Sequence, residues 1–260
     1  MKAKRPFKIV SILVILFLVI PLFLMVISAF NASCSVSFKL QGVTLKWFVK
    51  ALSSKTFIKA FMLSFKISMF ATLLALILGI PVSYALWKST SKYKVYIQNF
   101  FLSSTFIPTM VVSYALFQWI LLKLKLPVFY VLLLAHLIVC LPYIIRVVNA
   151  SLIQFDPYIE EVSWTLGMGK IETFLKIIIP NIGGGIISSF ILAFINSFNN
   201  YPISMFLTGP GVSTLPLAIL EFVEYNYDPT VSAISVLLMF ITLILMIIVE
   251  KTLGLNRLKG

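Results

Sequence analysis

The sequence predicts an all-α membrane protein with about six transmembrane helices. Hydrophobic residues make up 60% of the 260 residues and charged residues 11%, a balance typical of chains with several membrane spans. The apolar residues form runs long enough to cross a hydrocarbon core of about 30 Å, and most charged residues stand between the runs. The net charge of +13 is spread along the chain instead of forming one basic surface, so nucleic acid is not an expected partner.

The first apolar run follows a basic N-terminal stretch. It extends from Ile9 to Phe30 without a charge and is longer than the ~7–15 apolar residues of a signal peptide, so we expect residues 1–30 to remain as a membrane helix. Residues 31–60 are predicted to be an external segment. Within it, four residues have the spacing of an amphipathic helix at the membrane surface, namely Trp47, Phe48, Ala51 and Leu52.

Five more apolar runs lie in residues 61–250, the predicted core of the protein. They extend from about Phe61 to Trp87, Phe100 to Leu122, Pro127 to Val148, Ile182 to Leu207 and Val231 to Val249. Six spans place both termini, including a tail at 251–260, on one side of the membrane. More Lys and Arg residues lie on that side, so the positive-inside rule predicts cytoplasmic termini, although the lysines between Lys39 and Lys59 oppose it.

A charged stretch at 156–180 separates the fourth and fifth spans and predicts a helix, a glycine turn and a second helix. Asp156 can N-cap a helix that begins at Pro157, and the following glutamates are favoured by the helix dipole. Gly167 stands where a left-handed residue would end that helix, and Pro180 would end or kink the next one. Four residues are predicted to share one face of the first helix: Ile159, Val162, Ser163 and Leu166.

This stretch resembles the EAA loop in permease subunits of bacterial ABC importers, whose pattern is E-A-A, three residues, G, nine residues, I-x-L-P. The matching residues are Glu161-Val162-Ser163, Gly167 and Ile177-Ile178-Ile179-Pro180, with the spacing kept and both alanines and the leucine replaced. The resemblance implies that the loop docks into a cytoplasmic ATPase. It assigns this coupling to Glu160, Glu161, Ser163, Leu166 and Gly167. An ordinary amphipathic loop is the alternative.

The chain has little material for catalysis. It lacks the G-x-x-x-x-G-K-[ST] phosphate loop, so ATP and Mg²⁺ would be used by a partner and no cofactor is expected on this chain. A single histidine excludes a two-histidine metal site, and a Ser-His hydrolase lacks the G-x-S-x-G motif. We therefore predict that the chain is not an enzyme. An intramembrane enzyme and a stand-alone channel are the alternatives from other classes.

Polar side chains inside the spans are the candidates for a solute path. They are His136 in the fourth span and Asn196, Asn199, Asn200 and Tyr201 in the fifth. The three asparagines have i, i+3 and i+4 spacing, which predicts one shared helical face. Two roles fit these side chains, namely hydrogen bonding between helices and contact with a solute.

Most of the chain from Thr44 onward is similar to the second permease subunit of polyamine-type (spermidine/putrescine) importers. The similar stretches are LKWF from Leu45, IPTMVVSYAL from Ile107, AHLIVCLPYIIR from Ala135 and FLTGPGVSTLPLAI from Phe206. The resemblance implies the MetI-like permease bundle in a bacterial plasma membrane. It also implies a heterodimer with a homologous permease, two ATPase subunits and an external solute-binding protein. Relatives often carry acids at Asn199 and Asn200, so aminoethylphosphonate, thiamine and ferric ion stay open as other solutes.

Overall fold

The computed structural model describes residues 5–33, 41–103, 105–226 and 228–253, and these residues are mostly helical. The helices are α1 Arg5–Phe30, α2 Lys46–Ser53, α3 Lys55–Lys88, α4 Lys94–Ser103, α5 Thr109–Leu116, α6 Val128–Ile153, α7 Pro157–Thr165, α8 Lys170–Thr173, α9 Ile179–Asn181, α10 Gly183–Phe198, α11 Tyr201–Phe206, α12 Leu215–Tyr225 and α13 Thr230–Leu253. Two π-helical segments, Phe117–Lys123 and Phe174–Ile178, follow α5 and α8. The all-α prediction is confirmed.

Four helical stretches in the described ranges are long and apolar enough to cross a membrane. They are Val10–Phe30, Lys55–Lys88, Val128–Ile153 and Thr230–Lys251, and they correspond to the predicted first, second, fourth and last spans. The pair Lys170–Asn181 and Gly183–Phe198, bent by 72°, makes a fifth if it is counted as one span. The predicted third span is divided. Its apolar helix covers Thr109–Lys123, because Pro108 has no N–H with which to continue a helix from α4.

The predicted fifth span is interrupted. Helix α10 ends at Phe198, and Asn200 has an extended backbone (φ −82°, ψ 91°) before α11 begins at Tyr201. The side-chain oxygen of Asn200 accepts a hydrogen bond from the backbone N–H of Ile203 at 3.2 Å and so caps α11. The prediction that Asn196, Asn199 and Asn200 share one helical face is therefore wrong, because the helix stops between them.

The chain divides into two compact units, Met1–Lys59 with Ala218–Leu243 and Ala60–Leu217 with Ile244–Gly260. In the first unit, α2 forms as predicted with Trp47 and Ala51 buried, and Trp47 packs in one cluster with Ala29 of α1 and Ala233 of α13. The indole N–H of Trp47 donates to the backbone oxygen of Asn31 at 2.7 Å. Trp47 and Ala51 therefore face protein rather than lipid. Of the predicted external segment, Cys34 and Lys39 lie outside the described residues, as does most of the tail.

An aspartate caps α13 in the first unit. The Asp228 carboxylate accepts a hydrogen bond from the Thr230 N–H at 2.9 Å and forms an ion pair with Lys50. Burial alone would raise the pKa of Asp228, but the hydrogen bonds from Lys50 and Thr230 lower it below its ordinary value. This cap repeats the arrangement predicted at Asp156-Pro157, where the Asp156 side chain accepts from the Tyr158 N–H at 3.0 Å.

The core of the second unit is formed by α3, α6 and α10, which approach closely at small residues. Ala71 and Ala75 of α3 pack with Ile144 and Val148 of α6 in one buried cluster. Gly185 of α10 lies against α6 so closely that an added Cβ would stand 1.9 Å from the Ser151 Oγ and 2.6 Å from its Cβ. Gly185, the last residue of the Gly-Gly-Gly stretch at 183–185, thus allows this close helix contact because it has no side chain.

Replacing Gly185 with alanine is expected to separate α10 from α6. Because the new methyl group overlaps the Ser151 side chain, the free energy of unfolding should fall by about 1–3 kcal/mol, as in other overpacked cores. Thermal unfolding of the purified protein in detergent measures this. Gly183→Ala is the matched control, since nothing lies within 4 Å of its added Cβ. Equal stability of the two variants would contradict the packing assigned to Gly185.

Candidate coupling site and solute path

In the segment from Asp156 to Pro180, the first helix and the glycine turn after it form as the sequence predicts. Helix α7 begins at Pro157 after the Asp156 cap. It ends in a Schellman motif, in which the Gly167 N–H donates to the Trp164 oxygen at 3.0 Å and the Met168 N–H to the Ser163 oxygen at 3.1 Å. Gly167 has φ +89°, a left-handed conformation that side chains other than glycine rarely adopt. The predicted glycine turn is confirmed.

One glutamate of α7 is turned into the protein. Glu160 is fully buried, and its carboxylate accepts a hydrogen bond from the hydroxyl of Tyr84 and lies 2.7 Å from the Lys88 ammonium. Tyr84 and Lys88 lie one turn apart at the end of α3, so both can reach the same carboxylate. The Lys88 ammonium also stands 4.7 Å from the centre of the Trp164 ring. These contacts fix α7 against the end of α3.

Ser163 joins the two helices of the loop. Its hydroxyl lies 2.6 Å from the backbone oxygen of Glu160 and 2.9 Å from the hydroxyl of Thr173, and both Ser163 and Thr173 are buried. An alanine would fit at Ser163 but would leave the Thr173 hydroxyl without this bond. The serine that departs from the EAA pattern therefore has a structural role. Its burial also corrects the predicted face, because Ser163 lies on the inner side of α7, away from Val162 and Leu166.

The outer side of α7 presents apolar side chains to the surroundings. Tyr158, Val162 and Leu166 follow each other at intervals of four residues and are 69%, 55% and 79% exposed, and Ile171 beyond the turn is 76% exposed. We call these four residues the apolar tip. Glu161 is also exposed, beside Val162. Large apolar side chains grouped on an exposed loop are typical of a contact with another protein or with the membrane.

The predicted coupling residues thus fall into two groups. Glu161 and Leu166 are exposed, whereas Glu160 and Ser163 are buried and hold α7 in place. The contacts of Tyr84 and Lys88 with Glu160, and of Thr173 with Ser163, were not predicted from the sequence. A signal for the first two exists in the sequence, since a tyrosine and a lysine stand one turn apart at the end of an apolar run. Nothing in the sequence pairs them with Glu160 rather than Glu161.

His136 lies in a buried chain of polar side chains. Its Nδ1 is 2.8 Å from the hydroxyl of Ser197, and the Ser197 hydroxyl donates to the hydroxyl of Ser68 at 3.1 Å. All three side chains are almost fully buried, so a Ser-His pair is present but has no access for a substrate. These bonds connect α3, α6 and α10, which is the helix-joining role among the two predicted for His136.

The other predicted path residues differ in their surroundings. Asn196 donates from Nδ2 to the Tyr143 hydroxyl at 2.9 Å and so joins α10 to α6. Asn200 caps α11, whereas the Asn199 side chain is exposed at the end of α10 and Tyr201 is half-buried. The structure therefore engages two of the amides in the fold itself and leaves Asn199 accessible.

The chain matches a known protein family and is similar to two transport proteins over most of its length. The family model described as "Binding-protein-dependent transport system inner membrane component" matches residues 75–252. The chain is 26% identical to the spermidine/putrescine transport system permease protein PotC of Escherichia coli (strain K12), covering 94% of this chain and 92% of that protein. It is 28% identical to the putrescine transport system permease protein PotI of the same strain, covering 91% and 86%.

A solved structure has the same fold. It is a chain of a bacterial ABC transporter involved in the import of the acidic polysaccharide alginate, with a TM-score of 0.73 and 17% sequence identity, covering 96% of this chain and 98% of that chain.

The contact of Glu160 with α3 predicts different effects for the two neighbouring glutamates. Glu160→Ala should lower the free energy of unfolding by about 1–3 kcal/mol, because the Tyr84 hydroxyl and the Lys88 ammonium lose their partner. The lower half of that range is expected, since the Lys88 side chain is 36% exposed and can turn to water. The matched control, Glu161→Ala, should change stability by less than about 0.5 kcal/mol. Thermal unfolding in detergent compares them, and equal losses would contradict the inward placement of Glu160.

Proposed function

The chain belongs to the family of binding-protein-dependent transport system inner membrane components, and from this premise we propose that it is one permease subunit of an ATP-driven importer of polyamines. The observation that carries the coupling part of the proposal is the apolar tip, which is exposed while α7 is fixed to α3 through the buried Glu160. A rigid helix that presents an apolar stripe is suited to a groove on a partner protein. We propose that this partner is a cytoplasmic ATPase.

We also propose the remaining subunits of the importer. The family description names a binding protein, so we propose an external protein that delivers the solute. A second, homologous permease would complete the solute path. Two ATPase subunits would each bind one permease, and one of them would contact the loop at 156–180 of this chain. ATP and Mg²⁺ would be bound by those subunits, and this chain would carry no cofactor.

The solute class rests on the relatives. PotC and PotI are named for spermidine/putrescine and putrescine transport, and the chain resembles both over most of its length. We therefore propose that putrescine and spermidine are solutes of this permease. We also propose Asn199, whose side chain is exposed, as a residue of the path, where its uncharged amide would contact the solute.

We propose that the loop carrying α7 and both termini lie in the cytoplasm. Lys88, Lys92 and Lys94 would then also be cytoplasmic, in agreement with the positive-inside rule. The turn at 208–214 would lie outside.

Replacing Gly167 with alanine is expected to impair coupling. Nothing lies within 4 Å of the added Cβ, so the cost arises from the backbone, at about 1–2 kcal/mol for φ +89°. The turn would loosen, and the apolar tip would be presented less accurately. We expect less ATPase subunit to co-purify and at least severalfold slower ATP-dependent uptake of radiolabelled putrescine and spermidine by proteoliposomes that contain the whole complex.

Gly169→Ala is the control for this variant, because Gly169 has φ −73° and space for a Cβ. It should co-purify and transport like the wild type. Wild-type behaviour of Gly167→Ala would remove the support for the coupling role, and a wild-type complex that takes up neither polyamine would overturn the proposed solutes.

The proposed orientation predicts a labelling pattern. In a chain with Cys34 and Cys140 replaced by serine, a cysteine at the exposed Thr208 should react with a membrane-impermeant maleimide added outside intact cells. A cysteine at the exposed Ser91 should react only after the membrane is permeabilised. Preferential labelling at position 91 in intact cells would reverse the orientation.

A further inference from the structure

Two interrupted apolar segments pack against each other in the second unit. Helix α4 ends at Ser103 and α5 begins at Thr109, and the break at 199–200 separates α10 from α11. In lipid, backbone outside a helix is tolerated only where it is covered by protein or lines a water-filled cavity, because each unpaired group costs several kcal/mol. The ring of Tyr114 on α5 contacts the ring of Phe206 on α11, with centroids 5.8 Å apart. The broken helices thus meet at an aromatic pair.

An uncharged polar group accompanies this aromatic pair. Gln118 lies at the start of the π-helical segment, and its Nε2 donates to the Tyr114 hydroxyl at 2.7 Å. Gln118 is exposed and Tyr114 is 49% exposed. An amide and a phenol on an exposed face of an apolar helix are unfavourable against lipid tails but favourable beside water or a solute. π-Helical turns also occur frequently at functional sites.

The same segment already contains the kind of contact that a polyamine would make. Lys123 lies about one turn beyond Gln118, and its ammonium is 3.4 Å from the centre of the Trp119 ring. A lysine side chain is an alkylammonium, chemically equivalent to one end of a polyamine. Ring faces attract such a group with about 0.5–2 kcal/mol each. Contacts this weak let a solute enter and leave again, as conduction requires.

We propose that Tyr114, Gln118 and Phe206 form an uncharged site on the solute path that receives the primary ammonium groups of the transported polyamine. This inference rests on the proposed function and gives its path specific residues. The rings of Tyr114 and Phe206 attract the cation, and the Gln118 side-chain oxygen, which makes no hydrogen bond with a described residue, accepts from the ammonium N–H. Asn196, Asn200 and His136 do not take part, because their hydrogen bonds hold the fold.

The test measures uptake of radiolabelled putrescine and spermidine by proteoliposomes containing the complete complex, together with ATP hydrolysis stimulated by the loaded binding protein. Tyr114→Leu and Gln118→Leu should each lower maximal uptake about tenfold, the equivalent of one lost contact. Stimulated ATP hydrolysis should persist, since α7 is untouched. Tyr114→Phe keeps the ring and should retain most of the uptake. Tyr130→Leu is the matched control, because Tyr130 is an exposed tyrosine on α6, and it should behave like the wild type.

Each other outcome overturns the proposal in a distinct way. Wild-type uptake in Tyr114→Leu and Gln118→Leu overturns this site alone and leaves the proposed function standing. Loss of the partner permease from the purified complex identifies the surface as a subunit contact instead. A wild-type complex without polyamine uptake overturns the proposed solutes and, with them, the ligand class of this site.

Discussion

A carboxylate that is fully withdrawn from water needs a positive partner and a hydrogen-bond donor, and Glu160 finds both at the end of α3. An isolated buried charge would cost several kcal/mol, so the ammonium of Lys88 and the hydroxyl of Tyr84 must stay close to it. That requirement fixes the rotation of α7 about its axis. Once Glu160 faces inward, Tyr158, Val162 and Leu166 must face outward, and the exposed apolar tip is a consequence of the buried ion pair.

Inside the spans, the polar residues of this permease are mostly small and uncharged. Ser68, Ser197 and His136 form one hydrogen-bonded chain, and the Ser64 hydroxyl accepts from the Leu215 N–H at 2.7 Å. Such bonds connect helices in a solvent that offers none, while small side chains allow close approach. A path built from amides and rings binds a cation more weakly than carboxylates would. Tight capture would then be left to the external binding protein.

The parts of the fold that depend on local chemistry could be predicted from the sequence. The long apolar runs, the Asp156 cap and the left-handed Gly167 each follow from neighbouring residues. The inner face of α7 could not be predicted, because Ile159, Val162, Ser163 and Leu166 fit one helical stripe equally well. Ser163 turns inward because the contacts of Glu160 with α3 set the rotation of α7 and because the turn brings Thr173 close to it. Likewise, three asparagines at helical spacing predict a face, but Asn200 followed by Tyr201-Pro202 instead caps a new helix.

In the proposed coupling, the Glu160–Lys88 contact, which fixes α7 against the end of α3, would transmit motion between the loop at 156–180 and the membrane helices. A double-mutant cycle tests it directly by measuring polyamine uptake per ATP hydrolysed in the reconstituted complex for Lys88→Met, Glu160→Gln and the pair together. If the two side chains act through each other, each single variant lowers this ratio and the double variant lowers it no further than the more severe single one. Independent, additive losses would show that Glu160 and Lys88 do not act through each other.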